Sequence, residues 1–199
     1  MQIKCFGLLL FTAASAALAA DVDEAAAVVA DLHLSLVELA ATDPLPALEQ
    51  RVSRLTPVIV ATHDLQTMGR VTISRRFWRA WNDAERDRYI DAFERFSITT
   101  YASRFASIRP GQFEILGSDQ LGDDRVEVKG VFHRDGVDAA DVTMDYTVRR
   151  SDDGWRIVNI VADGASELSL MSARNFDLLE SGDFEDLITD LEEQTSALE

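Results

Sequence analysis

Asp141-Val142-Thr143-Met144-Asp145-Tyr146-Thr147-Val148 alternates polar and apolar side chains without a break. Successive side chains of an extended strand point to opposite faces, so Val142, Met144, Tyr146 and Val148 share one face and Asp141, Thr143, Asp145 and Thr147 share the other. A strand with one apolar and one polar face belongs to an antiparallel sheet that is buried on one side and wet on the other. Working outward, Gln112 to Leu121, Arg125 to Arg134, Val137 to Arg150 and Gly154 to Ala162 read as four such strands. Gly122-Asp123-Asp124, Asp135-Gly136 and Asp152-Asp153-Gly154 supply the turns between them. The expected sheet is a four-stranded antiparallel meander.

Helical spacing takes over on both sides of this block. Asp21 to Thr42 carries Val28, Leu32, Leu36 and Leu39 at helical intervals, until Asp43-Pro44-Leu45-Pro46 breaks it, since proline cannot continue a helix interior. A second helix is expected from Ala47 towards Val60, with shorter ones at Leu65 to Gly69 and Thr72 to Trp81. Asn82 or Asp83 is a suitable N-cap for a long helix running to about Ile108. In it, Ile90, Phe93, Ser97, Tyr101 and Phe105 recur at steps of three or four, while Asp87, Asp91, Glu94 and Arg95 can face water. Arg109-Pro110-Gly111 stops it. After the strands, Leu168 to Glu180 and Asp183 to Leu198 read as two more helices, parted by Gly182. Helices and strands segregated in this way make an α+β domain, with helices packed on one face of a curved sheet.

The ends and the charge bound the rest. Residues 1–19 read as a signal peptide: Lys4 supplies a positive charge, Phe6 to Ala16 an apolar or small-residue run, and Ala17-Leu18-Ala19 a small-x-small cleavage site. Residues 20–199 then form a single domain, exported in soluble form. Cys5 leaves with the signal, so the mature chain would hold no thiol. The whole chain carries 35 acidic and 19 basic residues, a net −16, and loss of Lys4 takes the balance to 18 against 35, or −17. Such acidity argues against a nucleic-acid partner, which needs a basic face.

Signs of catalysis are missing. His33, His63 and His133 stand apart, with none of the spacings that bring metal ligands together on a helix face. Neither a nucleophile elbow nor a glycine-rich phosphate loop nor a dinucleotide fingerprint is present. No cofactor, metal site or catalytic residue is therefore assigned. Nine arginines crowd between Arg70 and Arg109 (Arg70, Arg75, Arg76, Arg79, Arg86, Arg88, Arg95, Arg104, Arg109). They could contact a phosphate headgroup or a partner, but pairing along the helix, as between Asp91 and Arg95, is the simpler expectation.

Several segments, in order, resemble the MlaC family of periplasmic phospholipid-binding proteins, also called toluene-tolerance proteins. They are Arg75-Arg76-Phe77-Trp78-Arg79, Asp83-Ala84-Glu85-Arg86, Tyr89-Ile90-Asp91-Ala92-Phe93 and Thr100-Tyr101-Ala102, then Val142-Thr143-Met144-Asp145-Tyr146, Gly154-Trp155-Arg156-Ile157-Val158, Asp163-Gly164-Ala165-Ser166 and Gly182-Asp183-Phe184-Glu185-Asp186-Leu187-Ile188. One stretch departs: Glu167 to Phe176 lacks the family's usual Asn-Tyr-Arg segment and is closer to the branch associated with hopanoid biosynthesis. The resemblance implies a periplasmic carrier shuttling phospholipid, or a hopanoid-related lipid, between an outer-membrane lipoprotein complex and an inner-membrane ABC transporter complex.

That resemblance also turns the apolar faces into an expected cavity. Its lipid-binding lining would be Phe77, Phe93, Tyr101, Phe105, Phe113, Val126, Val128, Met144, Tyr146, Val148, Ile157 and Leu168, residues that a filled core would use equally well. Two other readings stay open at this point. One is an enzyme using the cavity of a cone-shaped α+β fold, with Asp145 as the nearest acid were the strand register reversed. The other is an interaction module with a packed core.

Overall fold

The structure is a computed structural model that describes residues 11–135 and 139–198. Five helices come first: α1 (Phe11–Ala40), α2 (Leu48–Thr62), α3 (Leu65–Val71), α4 (Arg75–Ala80) and α5 (Asp83–Arg104). The strands β1 (Phe113–Gly122), β2 (Arg125–Phe132), β3 (Val142–Ser151), β4 (Gly154–Ala162) and β5 (Ala165–Ser166) follow, then α6 (Glu167–Ser181) and α7 (Phe184–Ser196). The fold is α+β with a curved antiparallel sheet in the order β1-β2-β3-β4-β5.

Five strands replace the expected four. Asp163 and Gly164 both take positive φ, 49° and 77°, and turn the chain back so that Val161 pairs with Ser166 and Ala162 with Ala165. Two residues at positive φ make the tight turn whose twist suits a hairpin. A two-residue strand is too short to show alternation, so it leaves no periodic signal. The third strand begins at Val142; Val137, where the sequence reading starts it, and Gly136 of the preceding turn lie outside the described residues. Helix α1 begins at Phe11, ahead of the expected Asp21, because its alanine-rich run favours helix. Residues 1–10 of the expected signal peptide lie outside the described residues.

Register bears out the face assignment in β3. Tyr146 and Val148 are 1% and 0% exposed, while Thr143 on the opposite face is exposed. Asp145 stands opposite Lys129 and Val161, on the outer face and away from the interior. Helix α1 lies on the inner face and packs against β1 to β4, whereas α5 packs on α2, α3 and α7. The last turn of α5 reaches the sheet through Phe105, whose ring centroid lies 5.7 Å from that of Phe113 and 6.2 Å from that of Phe132.

Local chemistry explains why α5 is held so firmly. Asn82 caps it by accepting from Glu85 N (2.9 Å), and the Glu85 carboxylate accepts from Asn82 N (2.8 Å), a capping box. Deeper in, the Tyr89 hydroxyl donates to Thr72 Oγ1 (2.6 Å) and accepts from Asn175 Nδ2 (2.9 Å), tying α5 to α6 and to the end of α3. The Thr72 proton is already committed to the Gly69 carbonyl at 2.7 Å, which sets these directions. Burial raises the Tyr89 pKa to about 12, so the phenol stays a donor. Among the arginines of α5, Arg86 pairs along its own helix with Asp83 (2.8 Å), whereas Arg88 with Glu185 (2.6 Å) and Arg95 with Glu192 (3.6 Å) reach across to α7.

Gly69 marks the closest approach of α3 to α5. A Cβ there would lie 2.9 Å from Ile90 Cδ1 and 3.1 Å from the Phe93 ring. Gly69→Val is expected to lower stability by about 1 to 3 kcal/mol through overpacking, read as a reduced urea midpoint with unchanged m-value; an unaltered midpoint would contradict this packing.

Candidate functional site

Between α5 and the sheet lies a pocket of about 250 Å³. Leu32 and Leu36 of α1 close one side, Phe93, Phe96, Tyr101 and Phe105 of α5 the roof, and Phe113, Phe132, Val142, Met144, Tyr146 and Ile160 of the sheet the floor. Leu65 and Met68 of α3 form the far wall, Leu168 and Met171 of α6 the near one. The shape follows from the fold: α1 rests directly on the sheet, α5 crosses above, and only the C-terminal end of α5 descends to touch β1 and β2.

Of the twelve residues expected to line a cavity, seven are brought together here: Phe93, Tyr101, Phe105, Phe113, Met144, Tyr146 and Leu168. The other five are placed elsewhere, each for a geometric reason. Val126, Val148 and Ile157 face inward but are mutual cross-strand neighbours at the hairpin end of the sheet. There the chain of His63 and Asp64 bonds directly to Ile157, and all three side chains are 0% exposed in solid packing. Val128, opposite Tyr146, is likewise 0% exposed and shielded from the pocket. Phe77, on α4, packs edge-on against Phe176 of α6 at 6.1 Å. Facing inward is thus not sufficient; position along the strand decides between filled core and open space.

Two histidines that stand apart in the sequence find partners in the fold. The His33 ring stacks on Phe113 (centroids 4.1 Å apart, planes 6° from parallel), and its Nε2 lies 2.8 Å from the Tyr146 hydroxyl. His63 Nε2 lies 2.8 Å from the Tyr101 hydroxyl, and its Nδ1 lies 2.9 Å from Thr62 Oγ1. Because Thr62 donates its proton to the Val58 carbonyl (2.8 Å), Thr62 Oγ1 must accept from His63 Nδ1–H. His63 Nε2 is therefore the acceptor and Tyr101 the donor, which fixes the tautomer. No adjacent spacing announces these pairs; the partners are 113 and 38 residues apart.

Burial lowers both imidazole pKa values to about 4, for His63 against a smaller opposing pull from the Ile59 carbonyl. It also raises the pKa of Tyr101 and Tyr146 above the usual phenol range. At neutral pH all four groups are uncharged, so the pocket interior holds polar atoms but no buried charge. Among the described residues, no group of three His, Cys, Asp or Glu side chains could hold a metal ion.

The chain matches the model of the MlaC protein family over residues 34–193. It belongs to the MlaC family. Among solved structures, it is similar to a phospholipid-binding protein from Ralstonia solanacearum, determined in complex with a phospholipid. The two share 22% identity with a TM-score of 0.76, over 88% of this chain and 98% of that one. At that identity the likeness concerns the fold. Among curated proteins, none matches the chain significantly. The MlaC match takes in α2 to α6 whole, so all the pocket-lining residues except Leu32 fall within it.

The histidines give this MlaC-family chain a signed pH dependence. Unfolded histidine titrates near 6.5, so as pH falls the unfolded chain takes up protons that the folded one refuses. Stability is fully present above pH 6.5 and is lost as pH falls towards 4, by about 3 kcal/mol for each histidine. Urea unfolding at pH 7, 5.5 and 4.5 is expected to show this decline, with a shallower slope in His33→Gln and His63→Gln. Identical slopes in all three proteins would contradict it.

Proposed function

We propose that this MlaC-family protein is a periplasmic lipid carrier, reached by export and signal-peptide cleavage, that holds phospholipid acyl chain in the pocket beneath α5. On this reading it passes lipid between an outer-membrane lipoprotein complex and an inner-membrane ABC transporter complex. The observation that carries the proposal is the pocket itself, whose walls are overwhelmingly aliphatic and aromatic and whose interior polar groups are satisfied by one another. The family membership and the phospholipid complex of the Ralstonia solanacearum protein support the ligand class.

Physical chemistry supplies the need for such a pocket. Each methylene removed from water is worth about 0.8 kcal/mol, so one ordinary acyl chain represents on the order of 10 kcal/mol. A protein that ferries the chain through water must shield nearly all of it. At about 250 Å³ the pocket lies just below the roughly 300 to 1,000 Å³ usual for ligand sites. Filling it with a whole chain requires the walls to yield. Met68, Met144 and Met171, unbranched and adaptable, are the side chains suited to that.

Net charge fits a receptor-dependent carrier. At −16 the protein is repelled by anionic bilayers, which makes unassisted collisional exchange slow. A carrier reading is favoured over an enzyme because Asp145 faces outward, the buried titratable groups are neutral His–Tyr pairs engaged with each other, and the ionic Arg104 and Glu167 sit at the exposed rim.

Native mass spectrometry of the purified protein tests the proposal. A co-purifying lipid mass is expected, with occupancy strongly reduced in Tyr146→Asp, and in Met144→Asp as a half-buried wall position should the first variant fail to fold. An empty wild-type chain, or folded variants retaining lipid at the wild-type level, would contradict it. Fluorescent lipid exchange with bare anionic vesicles is expected to be slow; rapid spontaneous exchange would remove the receptor requirement.

A further inference from the structure

The pocket wall contains two ionic side chains, Arg104 and Glu167, and they are bonded to each other. Arg104 is in the last turn of α5 and Glu167 in the first turn of α6, so the pair bridges the two helices at one edge of the pocket. Both are half or more in solvent, 54% and 64% exposed, which makes this edge the rim where apolar lining meets water. Tyr101 lies within their electrostatic reach, Glu167 favouring its protonated form and Arg104 opposing that.

The other donors around the rim are already engaged. Ser97 donates to the Phe93 carbonyl and Thr100 to the Phe96 carbonyl, both at 2.8 Å, and Tyr101 donates to His63. Arg104 is bound to Glu167 through one terminal nitrogen, and a guanidinium has five N–H donors in a planar fork. Among the described lining residues it is thus the one cation with donors to spare at the mouth.

We propose that Arg104 is a specificity residue that binds the phosphate of the carried lipid, and that Glu167 occupies its place until a headgroup displaces it. The assignment rests on the carrier reading above. A chain seated among Phe105, Phe113 and Met144 has to leave its headgroup at the open edge, where α5 and α6 meet. Solvent screens an ion pair this exposed, so Glu167 is readily displaced. A phosphodiester offers Arg104 the same single negative charge as the carboxylate, with oxygens matched to the guanidinium fork. Breaking the Arg104–Glu167 bond also unfastens α6 from α5 on this side, which widens the rim as the lipid arrives.

The test compares two lipids with identical acyl chains, phosphatidylglycerol and diacylglycerol, competing for the full mature chain and read by native mass spectrometry. The phosphate meets Arg104 at the same exposed rim, so R104Q is expected to lower the phosphatidylglycerol-to-diacylglycerol occupancy ratio by up to about fivefold. E167Q, which frees Arg104, is expected to raise it. Damage to the pocket would depress both lipids together and leave the ratio unmoved. Inorganic phosphate added alone is expected to leave lipid occupancy unchanged, because it lacks the tail; displacement of lipid by millimolar phosphate would make this an ion site and overturn the headgroup assignment. A ratio that R104Q does not change overturns the role of Arg104 while leaving the carrier reading intact. A wild-type chain that takes up neither lipid overturns both.

Discussion

Two imidazoles hydrogen-bonded to two phenols set the spacing on which the pocket depends. His33 to Tyr146 joins α1 to the middle strand of the sheet, and His63 to Tyr101 joins the end of α2 to α5. The first keeps α1 seated on the sheet, and the second runs from the sheet-bridged end of α2 to α5, so rigid rings hold α5 off the sheet at a distance set by side-chain length rather than by collapse. Apolar side chains alone would drive the layers into contact, because every methylene removed from water favours closure. A buried polar pair resists that: pulling it apart or crushing it strands a donor or an acceptor in an apolar interior, at a cost of about 1 to 3 kcal/mol. Neutrality is part of the design, since burial holds both histidines uncharged at pH 7.

The inner face of the sheet is consequently divided. At the hairpin end, Val126, Val148 and Ile157 are packed solid under the α2–α3 junction, and Asp64 anchors that junction by capping α3 and accepting from Arg149 at 2.7 Å. At the other end, Phe113, Phe132, Met144 and Ile160 face open space. One half provides stability and the other provides room. Interhelical ion pairs, Arg88 with Glu185 and Arg95 with Glu192, link the exposed edges of α5 and α7 outside the pocket.

Much of this architecture was legible in the sequence. Alternation from Asp141 to Val148 carried the inward set of β3, and a cap at Asn82 or Asp83 marked the start of α5, because strand pleat and helix capping are local effects. What was not legible is what depends on long-range placement. β5 is two residues long and exists only through the turn at Asp163 and Gly164. Val126 and Phe132 share a strand face, yet only their position along it decides that one is filled core and the other pocket floor. The histidines looked isolated because their partners are distant in the chain. Of the arginines expected to pair along their own helix, Arg86 does so with Asp83, while Arg95 reaches Glu192 rather than Asp91.

The central claim is that the space under α5 admits hydrocarbon. Crystallography of the protein loaded with a phospholipid brominated along one acyl chain tests it most directly, since the anomalous signal of bromine locates the chain without interpretation. The account predicts bromine within contact distance of Phe105, Phe113 and Met144, with α5 displaced outward and both His–Tyr bonds intact. Bromine found only on the outer surface, against the exposed side of α6 around Leu170 and Phe176, with the space under α5 unchanged, would contradict it.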